Sequence, residues 1–320
     1  MPLAKLFAER VHHFEELPFA EAYALFDAPI SEYKAPVLSV TEISIPSPGN
    51  DVPVLIYRPD NHKKDLPVII WMHGGGFQHG NYRMNESAVV GQELAYKGDL
   101  VVVNVEYRLV TETVKFPAPQ EDCMAVLSWV HENISEHGGN PNQIFVGGVS
   151  AGGCLAASMA VLDRDSGKHQ IVGQLLNCPI VHTELPDMSS ELKAKMAEVP
   201  QELGFSPELV ENLNKFATPT GQIEDMDPSW MPGLQTNLQG LPPAQIINCE
   251  YDTLRASGEK YAEQLKAAGV VVEVLTQRGV PHAHLNRVPV DCPEVGETLE
   301  KIIAFVKTIT SKQTSVTNRG

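Results

Sequence analysis

Basic residues are scarce in this chain. Lysine and arginine number 24 against 40 aspartates and glutamates, a formal net charge of −16 over 320 residues. Nucleic acid and anionic membrane both need a basic face, so neither is expected as a partner. No run approaches the ~20 consecutive apolar residues of a membrane span. The opening residues carry Lys5, Glu9 and Arg10 where a secretory signal would hold an apolar core. The five cysteines (Cys123, Cys154, Cys178, Cys249 and Cys292) are odd in number and scattered. Four fall in helix or strand patterns, where a free thiol acts as a small hydrophobe. A disulfide framework is not expected, which points to a reducing compartment, the cytoplasm. The glycosylation patterns at Asn85 and Asn133 then carry little weight. Metal-site spacing is missing too: neither His-Glu-x-x-His nor Cys-x-x-Cys occurs. His12, His13, His62, His137 and His169 lie in polar surroundings that suit surface histidines.

What the chain does have is a serine in a telling setting. In Phe145-Val146-Gly147-Gly148-Val149-Ser150-Ala151-Gly152-Gly153 a β-branched apolar run enters a turn and small residues flank Ser150. A helix-compatible segment leaves it. G-x-S-x-G between strand and helix is the pattern of a nucleophile elbow, too sharp for any but small neighbours. The helix that follows aims its first N–H groups at whatever the serine attacks. A structural glycine turn would explain the five residues alone; the flanking strand and helix favour a nucleophile.

Upstream, His73-Gly74-Gly75-Gly76-Phe77 closely follows Val68-Ile69-Ile70-Trp71. Consecutive glycines at a strand's end leave N–H groups unobstructed. Acyl transfer needs such donors for the anionic oxygen of its tetrahedral intermediate, and losing one costs about 2.7–4 kcal/mol of barrier. The candidates are the amides of Gly75, Gly76 and Ala151, with Gly74 as a further one. A phosphate-binding loop is excluded, since no Gly-Lys-Ser/Thr follows.

A serine hydroxyl needs a histidine to take its proton, and that histidine needs a carboxylate to orient it. After Ser150, a strand pattern at 244–249 leads into Glu250-Tyr251-Asp252-Thr253-Leu254-Arg255. The next, at 271–276, leads into Arg278-Gly279-Val280-Pro281-His282-Ala283-His284. Acid and base after successive strands would meet the serine at the carboxyl edge of a sheet, where open α/β folds bind ligands. Glu250 is a rival to Asp252, two residues early on the same strand end.

Short apolar strands alternate with helical patterns, which predicts a doubly wound α/β sheet. Strands are expected at 37–45, 54–57, 68–71, 101–105, 144–149, 173–178, 244–249 and 271–276. Helices are expected at 87–97, 119–136, 151–163, 256–268 and 293–310. The first two strands have no helix between them and suit an antiparallel edge. Residues 3–17 show the spacing of an amphipathic helix. A long insertion between Ile180 and Leu241 holds helical stretches at 189–199 and 206–216 and the segment Asp227-Pro228-Ser229-Trp230-Met231-Pro232.

Taken together, the motifs resemble the hormone-sensitive lipase family of α/β-hydrolases, the group of microbial family IV esterases and arylacetamide deacetylase, over roughly residues 35–310. HGGGF and GVSAGG carry the resemblance. So do Tyr107-Arg108-Leu109 with Phe116-Pro117-Ala118 and Glu121-Asp122, Gly240-Leu241-Pro242-Pro243-Ala244, Tyr251-Asp252-Thr253-Leu254-Arg255, and Gly279-x-x-His282. It implies an α/β-hydrolase fold with a mostly parallel eight-stranded sheet, helices on both faces and a helical cap. The cap would comprise 1–35 and an insertion at 184–236, the core 36–183 and 237–310, and a flexible tail 311–320. The family's nucleophile, acid and base fall on Ser150, Asp252 and His282, and its oxyanion donors on Gly74, Gly75, Gly76 and Ala151. Phe77, His284 and Trp230 are candidate pocket residues. The implied activity is hydrolysis of short- to medium-chain acyl or acetyl esters through an acyl-enzyme, extending to a natural-product ester or lactone, with no metal and no cofactor. The partner would be a small-molecule ester; a homodimer is open. An amidase with the same triad, or a non-hydrolytic binding or dehydratase relative, are the alternatives. Two departures stand out: Val149 replaces the family's usual Asp before the nucleophile, and His282-Ala283-His284 replaces its His-Gly-Phe.

Overall fold

Alternating β-branched residues build the centre of the molecule. In β3 (Leu66–Met72), Val68, Ile70 and Met72 enter the apolar layer on one side of a sheet, and Ile69 and Trp71 the layer on the other. The computed structural model describes residues 2–18, 21–22, 25–26 and 30–317. Parts of the expected N-terminal cap segment (1, 19–20, 23–24 and 27–29) and the end of the expected tail (318–320) lie outside the described residues.

The sheet has eight strands: β1 (Leu38–Ser47), β2 (Asn50–Pro59), β3, β4 (Val101–Val105), β5 (Gly139–Val149), β6 (Ile171–Asn177), β7 (Ala244–Tyr251) and β8 (Val272–Pro281). Their order is β1-β2-β4-β3-β5-β6-β7-β8. Only β2 runs against its neighbours; β4, β3, β5, β6, β7 and β8 are parallel. β1 and β2 form a hairpin in which Pro48 and Gly49 (φ 78°) make the turn, and both strands are longer than expected. β5 also starts earlier, at Gly139. A polar stretch containing Pro141 is drawn into the sheet by pairing with Leu66 across a bulge, a tertiary effect that local pattern does not reveal.

Helices cover both faces. α3 (Asn85–Gly98) and α9 (Pro293–Thr317) pack on the Trp71 side, through residues such as Leu94, Leu299 and Ile302. On the Val68 side lie α4 (Ala118–Asn133), α5 (Ala151–Asp165) and α8 (Arg255–Ala267), through Val126, Leu155 and Leu265. α9 runs to Thr317, so the expected tail begins as helix.

The N-terminal helix expected over 3–17 is interrupted. Two single turns, α1 (Lys5–Ala8) and α2 (His13–Glu16), are joined where hydrogen bonds tighten to i→i+3, Arg10 N–H to Phe7 and His13 N–H to Arg10. The apolar stripe still works as read, because Leu6, Phe7 and Phe14 are buried. In the insertion, the expected stretches appear as α6 (Ser190–Met196) and α7 (Pro207–Ala217). Ser189 and Ser206 cap them by accepting the N–H of Leu192 and Leu209.

One buried ion pair ties the edge hairpin to the centre. Asp122, with a fully buried side chain, accepts from Arg108 Nε at 2.9 Å, Arg108 N–H at 2.8 Å and Ser47 Oγ at 2.7 Å. This explains why Tyr-Arg-Leu and Glu-Asp occur together as a motif: the arginine's fork needs the helix carboxylate. Asp122→Ala leaves the guanidinium without that partner and should cost ~3 kcal/mol of stability. Urea unfolding checks this; a loss within experimental error would contradict the role.

Candidate active site

Five parallel strands end in one row. His73 follows β3, Ser150 follows β5, Cys178 follows β6, Asp252 follows β7 and His282 follows β8, each the first residue beyond its strand. Parallel pairing therefore brings to one edge residues that lie far apart in sequence.

Ser150 has φ 56° and ψ −114° and is the N-cap of α5. This strained conformation is held by packing on all sides. A Cβ at Gly152 would lie 2.2 Å from the Met72 carbonyl oxygen, so the helix can pass the end of β3 only with glycine there. The Ser150 N–H is bound to the Asn177 carbonyl at 2.9 Å. Val149, the residue before the serine, is completely buried.

Asp252 is fully buried. Its Oδ1 accepts the Leu254 N–H at 2.9 Å and its Oδ2 lies 2.6 Å from His282 Nδ1. Glu250 acts elsewhere on the loop, where its Oε2 accepts the Gly279 N–H at 2.7 Å and fixes the strand end that carries the histidine. The His282 ring meets Phe205 edge-on at 4.7 Å. Burial disfavours its cation, but the charges of Asp252 and of the Cys178 sulfur, with the Asp252 bond, outweigh that and hold its pKa well above 6.5.

The glycine loop is shaped by its neighbours. Gly75 has φ 109°, and a Cβ there would meet the His79 carbonyl at 2.1 Å. The Gly74 N–H donates to Glu86 Oε1. That bond removes Gly74 from the expected oxyanion donors, leaving Gly75, Gly76 and Ala151, whose amides have no hydrogen-bond acceptor among the described residues. His73 is structural: buried, stacked on Tyr107 at 4.3 Å, and bonded through Nδ1 to the Gly74 carbonyl at 2.7 Å. Burial pushes its pKa down to about 4, so it is neutral.

Ser150, Gly74, Gly75, Gly76 and His282 line a cavity of about 400 Å³. Its apolar wall comes from Leu203, Phe205, Leu209 and Leu213 of the insertion and from Phe7 and Phe26 of the N-terminal segment. A larger groove of about 930 Å³, near Arg164 and His169, lies at the opposite edge of the sheet and holds none of the site residues.

Three pocket expectations are corrected. Phe77 is wholly buried and packs edge-on against Phe116 at 5.1 Å. Trp230 also packs on Phe116, at 6.1 Å, and its carbonyl accepts from Cys154. His284 is 2% exposed, lies between Cys249 and Thr298, and burial pushes its pKa down to about 3. None of the three lines the cavity. Residue type and nearness in sequence suggested them; the direction of each side chain is set by packing.

Sequence reasoning also missed Glu86 and Arg287. Glu86 lies in the first turn of α3, where an acid after a glycine loop is a readable signal. Arg287, 3% exposed, donates to the Phe26 carbonyl, and its guanidinium lies 5.5 Å from the Phe7 ring, so it joins the N-terminal segment to the histidine loop. Leu209 and Leu213, at i and i+4 on α7, form an apolar stripe that the helical pattern contained but did not aim.

A strained serine, a buried acid–histidine pair and a loop of available amides together define a serine hydrolase of the α/β class. The chain matches the family model for the alpha/beta hydrolase fold over residues 69–286. It is 36% identical over 254 residues to Carboxylesterase NlhH of Mycobacterium tuberculosis, covering 78% of this chain and 77% of that protein. An esterase structure from Pyrobaculum calidifontis superposes with a TM-score of 0.79 at 30% identity, covering 97% of this chain and 99% of the other. A fungal esterase structure from Rhizomucor miehei gives 0.80 at 29%, covering 98% and 99%. The chain belongs to the α/β-hydrolase superfamily, in its hormone-sensitive-lipase-like group of family IV esterases.

Because Glu86 anchors Gly74, Glu86→Ala should let the loop drift and weaken transition-state stabilisation. Steady-state kinetics should show kcat falling about 10²-fold, near the value of one oxyanion donor. An unchanged kcat would remove Glu86 from the account.

Proposed function

We propose that this protein is a serine-dependent carboxylesterase in which Ser150 is the nucleophile, His282 the general base and Asp252 the group that orients it. The observation that carries the reading is the 2.6 Å contact between Asp252 Oδ2 and His282 Nδ1 beside the cavity that Ser150 also lines. With Nδ1–H committed to the carboxylate, Nε2 is free to accept the Ser150 proton as the oxygen attacks an ester carbonyl. The amides of Gly75, Gly76 and Ala151 hold the oxyanion. Alkoxide departs with the proton from His282, and water repeats the sequence on the acyl-enzyme to release the acid.

The cavity supports a size class for the substrate. About 400 Å³ walled by leucine and phenylalanine suits short- to medium-chain acyl groups on a small-molecule ester. The insertion and the N-terminal segment act as its cap, which their contribution of Leu203, Phe205, Leu209, Leu213, Phe7 and Phe26 supports. No helix among the described residues is long and apolar enough to cross a membrane. All five cysteines are free and buried, which supports a cytoplasmic enzyme.

An organophosphonate should label the wild type at Ser150, located by peptide mass, and leave Ser150→Ala unlabelled. On p-nitrophenyl esters of rising chain length, kcat/KM should peak among the short to medium chains and fall for long ones. Labelling that persists in Ser150→Ala would refute the nucleophile, and preference for the longest chains would refute the pocket assignment.

A further inference from the structure

Cys178 occupies on β6 the position that Ser150, Asp252 and His282 occupy on β5, β7 and β8, and the mechanism gives it no part. Cys249, near the end of β7, is its neighbour. Both are buried, 2% and 1% exposed. The two sulfurs and a carboxylate oxygen of Asp252 all lie within 4.8 Å of one another.

A fourth donor stands beside them. His284 Nδ1 is 3.4 Å from Cys249 Sγ, and its Nε2 is 2.9 Å from Thr298 Oγ1. The surrounding bonds settle the tautomer. Gln277 donates through Nε2 to Glu297, so its Oε1 is an acceptor, and the Thr298 hydroxyl donates to it at 3.3 Å. Thr298 Oγ1 therefore accepts from His284 Nε2–H, and Nδ1 is left bare, facing the thiol. A ring nitrogen with its lone pair aimed inward, backed by a bonded N–H on the other side, is the arrangement a metal-ligating histidine requires.

We propose that Cys178, Cys249, Asp252 and His284 form a binding site for a soft divalent cation of the Zn²⁺ type, and that its occupation inhibits the enzyme by taking Asp252 away from His282. Two sulfur donors disfavour Mg²⁺ and Ca²⁺, whereas two thiolates, a carboxylate and an imidazole suit tetrahedral Zn²⁺. With Zn–S near ~2.3 Å and Zn–O or Zn–N near ~2.0–2.2 Å, tetrahedral neighbours lie about 3.3–3.8 Å apart, so the two sulfurs and the carboxylate need close in by no more than about 1.5 Å, while His284, which touches only Cys249 among them, must swing further to complete the set. The step involves no oxidation: any protons the two sulfurs carry leave to solvent as Zn²⁺ binds, and the thiolates carry the charge. Once Asp252 Oδ2 ligates the metal, the Nδ1–H of His282 loses its acceptor, because Oδ1 already holds the Leu254 N–H, and the base loses its orientation.

The inhibition rests on the esterase reading; the binding does not. The test uses the full chain after EDTA treatment, with Co²⁺ as spectroscopic probe and Zn²⁺ as inhibitor. Stoichiometric Co²⁺ should give a near-ultraviolet thiolate-to-cobalt charge-transfer band that Zn²⁺ displaces, a signal independent of turnover. Zn²⁺ should inhibit p-nitrophenyl acetate hydrolysis, reversibly with EDTA. Cys249→Ala should abolish the band and weaken Zn²⁺ inhibition at least about tenfold. Cys249→Ser serves as the second variant should the alanine form fold poorly. His12, His13 and Glu16 form another potential ligand group, largely exposed, so His13→Ala should leave both signals in place. Absence of the band overturns the proposal. So does a band accompanied by unimpaired turnover, or inhibition that survives in Cys249→Ala and disappears in His13→Ala.

Discussion

At the turn from β5 into α5, the backbone of Gly152 runs so close to the end of β3 that a Cβ would lie 2.2 Å from the Met72 carbonyl oxygen. That contact is the constraint from which the site follows. It forces glycine two residues after the serine and leaves Ser150 at φ 56°, a conformation a non-glycine residue keeps only when its surroundings over-determine it. It also places the glycine loop that follows β3 directly beside the nucleophile. Loop and serine are thus positioned by one packing event, and the amides proposed to receive the oxyanion need no separate device to reach it.

Parallel strands do the rest. Adjacent strands that run the same way end at the same edge, so residues 150, 252 and 282 converge although up to 132 positions separate them. Burial then gives each contact its strength. The Asp252–His282 pair is almost withdrawn from water, which makes their attraction stronger than it would be at a surface. Glu250, two residues before Asp252, acts on the same loop by holding Gly279. The two carboxylates that compete for the acid's role in the sequence divide the work in the structure, one orienting the imidazole and the other anchoring its strand.

How much of this is legible in the sequence depends on the kind of information. Ser150, Asp252, His282 and the glycine loop can be read because their chemistry demands particular residue types at strand ends, and strands announce themselves by alternation. The eight-stranded α/β sheet and its antiparallel edge are legible for the same reason. Side-chain direction is not. Phe77, Trp230 and His284 are near the site in sequence yet point into packed interior, and nothing local distinguishes an inward from an outward turn at those positions. Leu203, Leu209 and Leu213 reach the cavity from an insertion whose placement is purely tertiary. The Gly74 amide looks available in the sequence, but Glu86, twelve residues later, occupies it in the fold.

The proposed mechanism requires His282 as an uncharged base whose basicity Asp252 raises. A protonated imidazole cannot accept the serine proton, so activity must fall as pH drops through the pKa of His282, and the upward shift puts that fall above 6.5. The direct measurement is kcat/KM for p-nitrophenyl acetate against pH. A single acid limb centred above 6.5 is expected. A profile flat between about pH 5 and 8, or a limb below 6.5, would contradict it.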